Sequence, residues 1–156
     1  MIKYMLADYG FVAIDKLDGS RTFADAKDIF RDIDTNFQSW GLNTKYTGTL
    51  KMRAHVYALA LDSSTKRMFE TISSNLNELV LTPHQVIWLC THRPDILAKK
   101  EGNTFFLLES YGRFFVVYIT VTSGGSLWLR VTRFSMLNPE IWNGRNGHRI
   151  VVKESA

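Results

Sequence analysis

Three apolar runs separated by two short glycine-containing loops constrain the fold of this chain more than any other feature. The runs cover about residues 104–109, 113–122 and 126–134, and the loops between them read SYG and SGG. Loops this short usually join neighbouring antiparallel strands. The sequence therefore predicts a three-stranded β-meander. A turn-rich tail follows and ends in one more short strand predicted near 148–153.

The first half of the chain mixes strand and helix signals. Apolar and polar residues alternate at 49–61, which predicts a half-buried strand, and short apolar runs at 1–6 and 10–14 are compatible with a strand or a hairpin. Apolar residues recur at spacings of three and four in residues 23–37 and again in 68–79. This spacing predicts two helices, each with one apolar stripe.

A third helix is predicted from Pro83 onward. Thr82 can cap its first turn, Pro83 suits the first helical position, and Gln85 can complete a capping box. Pro94 should break or kink the helix, because the residue before a proline disfavours helical geometry. Together these elements predict a single α+β domain over residues 1–156, with a mainly antiparallel sheet, a C-terminal β-meander and about three helices packed on it.

Composition favours a soluble, cytoplasmic protein with no membrane partner. The longest apolar stretches are far shorter than the roughly 20 residues of a membrane-spanning helix. The first residues lack the apolar core and the cleavage site of a secretion signal. The single cysteine, Cys90, cannot form an internal disulfide, which agrees with a reducing compartment.

The net charge of +4 is unevenly distributed. Residues 1–110 hold 13 basic and 13 acidic side chains, whereas residues 111–156 hold six basic and two acidic ones. A local positive field of this kind favours an anionic partner, either a nucleic acid or an acidic protein surface. A solvated basic rim without a partner is the alternative.

Alternation along the predicted meander indicates a candidate binding surface. One face is apolar throughout, whereas the other mixes Tyr118, Trp128 and Arg130 with threonines. Aromatic rings stack on bases and arginine adds charge, so this mixed face is typical of a nucleic-acid platform. A covering layer that packs the rings and pairs Arg130 with an acid is the alternative. The residues predicted to bind are Arg113, Tyr118, Trp128, Arg130, Arg133, Arg145, His148 and Arg149.

The motifs for metal binding and nucleophilic catalysis fail on spacing. The segment DIDTN begins like a calcium loop, but Phe37 replaces its glycine and Asn43 its glutamate. His84, Cys90 and His92 do not converge on one point of a helix, and no base lies near Cys90 in sequence. We therefore expect no metal, no cofactor and no catalytic residue.

A ribonuclease is the enzymatic alternative. The meander could gather Glu109, Arg113, Arg130, Arg133 and His148 at one sheet edge, where His148 or Glu109 would transfer protons and the arginines would hold phosphate. The run GRFFVVYITVTSGGSLWLRVTRFS resembles the sheet of RelE- and BrnT-type ribonuclease toxins over about 25 residues. The resemblance implies metal-independent cleavage of RNA.

Three other segments are similar to a group of short uncharacterised bacterial proteins. They read LTPHQVIWLCTHRPDIL, GNTFFLLES and IWNGRNGHRIVVK and span most of residues 81–153. The resemblance implies one compact fold and nothing catalytic. It also implies that Trp142, His148 and Arg149 form a unit, such as a packed C-terminal clasp.

Three functions remain open at this point. The first is a non-enzymatic binding or accessory protein that engages a nucleic acid or an acidic protein through its basic, aromatic C-terminal half. The second is the RelE-like ribonuclease. The third is a protein-interaction or inhibitor module that self-associates through an exposed aromatic face.

Overall fold

The structure is a computed structural model that describes residues 5–99 and 102–154. Its architecture is one mixed sheet with helices on both sides. Within these residues the strands are β1 (Leu6–Ile14), β2 (Phe30–Ile33), β3 (Met52–Leu59), β4 (Asn103–Ser110), β5 (Arg113–Val121), β6 (Leu127–Arg133) and β7 (Arg149–Lys153). All seven described strands join one sheet in the order β1-β3-β7-β4-β5-β6-β2. The predicted α+β fold is confirmed.

The helices are short, and each one lies between two strands along the sequence. Those of the described residues are α1 (Asn36–Ser39), α2 (Thr65–Ile72) and α3 (Pro83–His92), with 3-10 turns at Phe23–Asp25, Leu76–Glu78 and Pro94–Ile96. In the described part of the chain, no helix has the length and apolar character needed to cross a membrane.

Helix α3 begins and ends where the sequence predicts. The Thr82 N–H donates to the Gln85 side-chain oxygen at 2.9 Å, and the Gln85 N–H donates to the Thr82 hydroxyl at 3.3 Å. This reciprocal pair satisfies two backbone donors that the first helical turn leaves free. Pro94 follows the last turn, and Arg93 before it has left helical geometry, with φ −133°.

The predicted meander is confirmed, and two parallel pairings accompany it. Strands β4, β5 and β6 are antiparallel neighbours joined by short turns. Strand β7 lies between β3, to which it is antiparallel, and β4, to which it is parallel. Strand β2 runs parallel to β6 at the edge of the sheet. The strand signals at 1–14 and 49–61 correspond to β1 and β3, and residues 1–4 lie outside the described residues.

The sheet is covered on both sides. We call the side that carries Phe115 and Val117 the first face, and the side that carries Val116 and Tyr118 the second face. Helix α3, α1 and the turn at Phe23–Asp25 cover the first face with buried apolar side chains. Helix α2 covers part of the second face through Met68 and Phe69. Strand β5 is therefore apolar on both sides, because both sides pack against other layers.

The helix predicted at 23–37 is wrong. This segment forms a 3-10 turn, strand β2 and helix α1 in succession. Phe23, Ala26, Phe30 and Phe37 are all buried in the first-face core, so their spacing reports a shared core and no continuous helix. The backbone of β2 pairs with β6 instead of forming helical hydrogen bonds.

The helix predicted at 68–79 ends early, at Ile72. Ser73 is extended, with φ −155°, and its hydroxyl accepts a hydrogen bond from the Asn75 N–H at 3.0 Å. Short polar side chains of this kind compete with helical hydrogen bonds for the backbone. The remaining apolar residues of the segment reach the core through the 3-10 turn at Leu76–Glu78.

Candidate functional site

The residues that the sequence analysis assigned to binding fall into separate parts of the sheet. One group lies on the second face of β5 and β6, one at the start of β7 and in the loop before it, and one at the end of the sheet where β5 begins and β6 ends. The three parts differ in how far the fold itself already uses the side chains.

On the second face, the predicted platform is largely occupied by intramolecular contacts. Tyr118 is half-buried, with its ring 5.6 Å from that of Trp142 and 5.8 Å from that of Phe105. Arg130 donates to the carboxylate of Asp32 on β2 and lies over the Trp128 ring, 4.9 Å from its centroid. Trp128 is 39% exposed. The positive charge of Arg130 is thus already balanced by a carboxylate of the same chain.

At the start of β7, His148 is part of the core and is only 2% exposed. Its Nδ1 accepts a hydrogen bond from the Asn103 N–H at 2.9 Å, and its ring lies 5.3 Å from that of Trp142. Burial lowers the pKa of His148 below its ordinary value of 6.5. The imidazole is therefore held neutral and is turned towards the protein.

Arg149 is also used within the fold, whereas the Arg145 side chain makes no hydrogen bond or ion pair with the residues that the structure describes. The Arg149 guanidinium donates to the carbonyl of Asp95 at 2.9 Å and to the hydroxyl of Tyr9 at 3.0 Å, and it lies over the Tyr9 ring. Arg145 is exposed in the loop before β7, and no carboxylate among the described residues pairs with it.

At the third position, Arg113 and Arg133 line the same two adjoining clefts, of about 390 and 370 Å³. Both side chains belong to the first face, since Arg133 lies opposite Phe115 in the ladder and Arg113 is two residues before it. Both arginines are exposed, and neither has an ion-pair partner within residues 5–99 and 102–154. We call this region, lined by Arg113, Phe115, Arg133, Trp40 and Tyr111, the double-arginine cleft.

Trp40 forms one wall of the double-arginine cleft. It follows α1, and its ring stacks on Phe115 with the centroids 5.8 Å apart and the planes at 27°. The guanidinium of Arg133 lies over the Trp40 ring at 4.7 Å, within the range of a cation–π interaction. Sequence reasoning did not single out Trp40; the available signal was a large aromatic residue in a segment otherwise rich in glycine, asparagine and threonine.

Tyr111 stands at the rim of the cleft, in the turn between β4 and β5. Its φ is +51° and that of Gly112 is +77°, the pattern of a type I′ hairpin turn. Positive φ is uncommon for a residue such as tyrosine. The side chain is 85% exposed. The signal in the sequence was a tyrosine at a turn position that normally holds asparagine or glycine, and sequence reasoning did not use it.

The ribonuclease constellation is not assembled. Glu109 lies near the end of β4, whereas His148 contacts Asn103 at the beginning of the same strand. Six residues of extended strand separate the two positions by about 20 Å. The two candidate proton-transfer groups therefore cannot act on one scissile phosphate.

The two other kinds of reactive site considered from the sequence were a cysteine nucleophile and a metal site. Burial raises the pKa of the Cys90 thiol, which opposes formation of a nucleophilic thiolate. In the part of the chain that the structure describes, no three histidine, cysteine or acidic side chains lie close enough together to hold a metal ion.

Comparisons with known proteins do not indicate a function for this chain. No protein-family model, no curated protein and no solved structure matches this chain. The resemblances to RelE- and BrnT-type toxins and to short bacterial proteins therefore stay predictions. The double-arginine cleft is the candidate site, because it combines exposed cationic groups with aromatic rings.

Proposed function

We propose that the protein is a non-enzymatic binding protein that engages nucleic acid through the double-arginine cleft. One observation carries this proposal: Arg113 and Arg133 line the same clefts, and no described carboxylate forms an ion pair with either of them. Each guanidinium is free to make paired hydrogen bonds to a phosphate.

The charge distribution supports an anionic partner. The basic excess of the chain lies in residues 111–156, which include both arginines of the cleft. Several other arginines already form ion pairs within the chain: Arg130 pairs with Asp32, and Arg93 pairs with Asp95. Phosphate binding at the cleft would therefore use cations that form no ion pair within the described residues.

The aromatic rings favour nucleic acid over an acidic protein surface. Carboxylates of a protein partner would pair with the two arginines, and Trp40 and Tyr111 would then contact only the side chains beside those carboxylates. Bases use both, since they stack on aromatic side chains and on guanidinium planes. Trp40 also holds the Arg133 guanidinium in place over its ring, so the cation needs less ordering when it binds phosphate.

The first test measures binding of a short fluorescent RNA of mixed sequence by anisotropy, across a range of salt concentrations. We expect Arg113→Ala and Arg133→Ala each to weaken binding about tenfold, because a hydrogen bond to a charged group contributes roughly 1.5 kcal/mol. Each substitution should also reduce the slope of log K against log salt by about 0.7.

Arg31→Ala is the matched control. Arg31 is exposed on β2, has no ion-pair partner among the residues described, and lies near the opposite end of β6. It removes the same charge and should leave the affinity nearly unchanged. An equal loss in this variant, or no association at low salt, would overturn the proposal.

Two further readouts separate the alternatives. Polyglutamate of similar length should compete poorly with the RNA; equal competition would identify an acidic protein surface as the partner instead. Incubation of the RNA with the protein in EDTA, followed by gel analysis, should leave the strand intact. Cleavage that disappears in the Arg133→Ala variant would contradict the non-enzymatic part of the proposal.

A further inference from the structure

We infer that Tyr111 is a stacking platform for an unpaired base, so that the double-arginine cleft takes single strands in preference to duplexes. This inference rests on the proposed function and specifies which form of nucleic acid the cleft binds.

The first support is the conformation of Tyr111. Its φ of +51° lies in the left-handed region, where asparagine and glycine are favoured and a bulky side chain is strained. Strained residues concentrate at functional sites, where the surrounding structure holds them. Asparagine, aspartate and glycine are the residues that such a turn favours before its final glycine.

The second support is that the Tyr111 side chain is barely covered by the described fold. It is 85% exposed, and it forms no hydrogen bond or ring contact with any described residue. The turn is held instead by its backbone, since the Gly112 N–H donates to the Glu109 carboxylate at 2.6 Å. The ring is thus presented to solvent on a fixed hairpin.

The third support is the position of Tyr111 beside the two cations. Tyr111, Arg113, Arg133 and Trp40 line one of the two clefts together. Trp40 already contacts Phe115 on the sheet and Arg133 above it. Tyr111 is therefore the ring of this group whose faces are open to a ligand, next to guanidinium groups that can hold the adjacent phosphates.

This arrangement distinguishes single strands from duplexes. In a duplex each base face is covered by its stacked neighbours, and only the base edges are accessible in the grooves. A ring at the tip of a hairpin can stack only on a base that has left the stack. Stacking tolerates every base, so little sequence preference is expected.

The experiment compares three probes of equal length and label: a single-stranded oligonucleotide, its abasic counterpart with the same phosphates, and the duplex. The protein should bind the base-containing single strand more tightly than the other two. Tyr111→Ala should weaken binding of this strand about tenfold and leave the abasic strand unaffected. Tyr111→Phe should retain the affinity, because the stacking ring remains.

Alanine meets the same backbone strain as tyrosine at this position, so Tyr111→Ala isolates the ring; thermal unfolding should confirm an unchanged fold. Equal affinity for the base-containing and abasic strands would overturn the stacking platform and leave the proposed function standing. A Tyr111→Phe variant as weak as Tyr111→Ala would also overturn it. Failure of all three probes to bind at low salt would overturn both proposals.

Discussion

Arg130 and Arg133 lie three residues apart on β6, yet the fold treats them differently. Arg130 points to the second face, pairs with Asp32 and packs on Trp128. Arg133 points to the first face, lies over Trp40, and has no carboxylate partner among the described residues. Strand β2 pairs only with Leu127–Leu129 of β6, and its Asp32 lies on the same face as Arg130. Its carboxylate reaches Arg130, but the strand does not extend along β6 as far as Arg133.

The comparison teaches that residue type and strand position alone do not show whether an arginine is already paired within the chain. Both side chains are cations on one strand, and both contact a tryptophan ring. What separates them is the neighbouring strand, which supplies an anion to one and stops short of the other. On the second face Arg130 is engaged by contacts within the chain, whereas Arg133, at the end of the first face, has no ion-pair partner among the described residues.

The largest change in the free energy of unfolding is expected from a substitution on the second face. Trp142→Ala removes the ring that covers Tyr118 and His148, and should lower the free energy of unfolding by about 3 kcal/mol. The backbone bonds between Trp142 and Ser63 remain possible in the variant. Urea denaturation followed by circular dichroism measures the change.

Trp128→Ala is the control for this substitution, because Trp128 lies on the same face but is 39% exposed. It should lower the free energy of unfolding by less than about 1 kcal/mol. If both variants lose the same stability, Trp142 does not cover the second face in the way described, and the contrast between the two faces fails.

A smaller loss of stability is expected on acidification, again from the second face. The folded protein holds His148 neutral, with its pKa below 6.5, while the unfolded chain takes up a proton as the pH falls through about 6.5. The unfolded state then binds more protons, so the free energy of unfolding decreases below that pH and is fully retained above it.

The comparison of wild type with His148→Asn at several pH values isolates this contribution. Asparagine can still accept the hydrogen bond from the Asn103 N–H but does not titrate. Its unfolding free energy should fall less steeply between about pH 6.5 and 5. Parallel curves for the two proteins would mean that His148 is protonated equally in both states.

The smallest effect is expected when Arg130 is made to resemble Arg133. Asp32→Asn removes the partner carboxylate, and the free energy of unfolding should fall by about 0.5 kcal/mol, because the carboxylate of this pair is half exposed. The loss should shrink at high salt. Glu70→Gln, an exposed site on α2 where no described cation pairs with the carboxylate, should change nothing measurable.

Local signals in the sequence predicted much of the fold. The capping box of Thr82 and Gln85 and the glycine turns of the meander act over a few residues, and the corresponding elements formed as expected. The errors came from contacts between distant segments. The spacing of apolar residues in 23–37 matched a helix, but part of this segment pairs with β6 as the edge strand β2.

The candidate site divides in the same way. Arg113 and Arg133 were identified from charge and strand position, whereas Trp40 was missed because its contact with Phe115 joins two segments that are remote in sequence. Equally, nothing local indicated that Asp32 would meet Arg130, or that His148 would accept a hydrogen bond from Asn103. Which polar groups the fold uses internally is decided by tertiary pairing.

The position of β7 has a consequence for how the chain acquires its structure. Among the described strands, β1 and β3 form one part of the sheet and β4, β5, β6 and β2 form the other, and β7 alone joins them. Strand β7 is translated after the other six described strands. Until it is synthesised, no strand covers the edges of β3 and β4 that it pairs with in the folded protein. Such edges pair readily with other chains, so a ribosome-bound or prematurely terminated product is the species most exposed to aggregation and most dependent on chaperones.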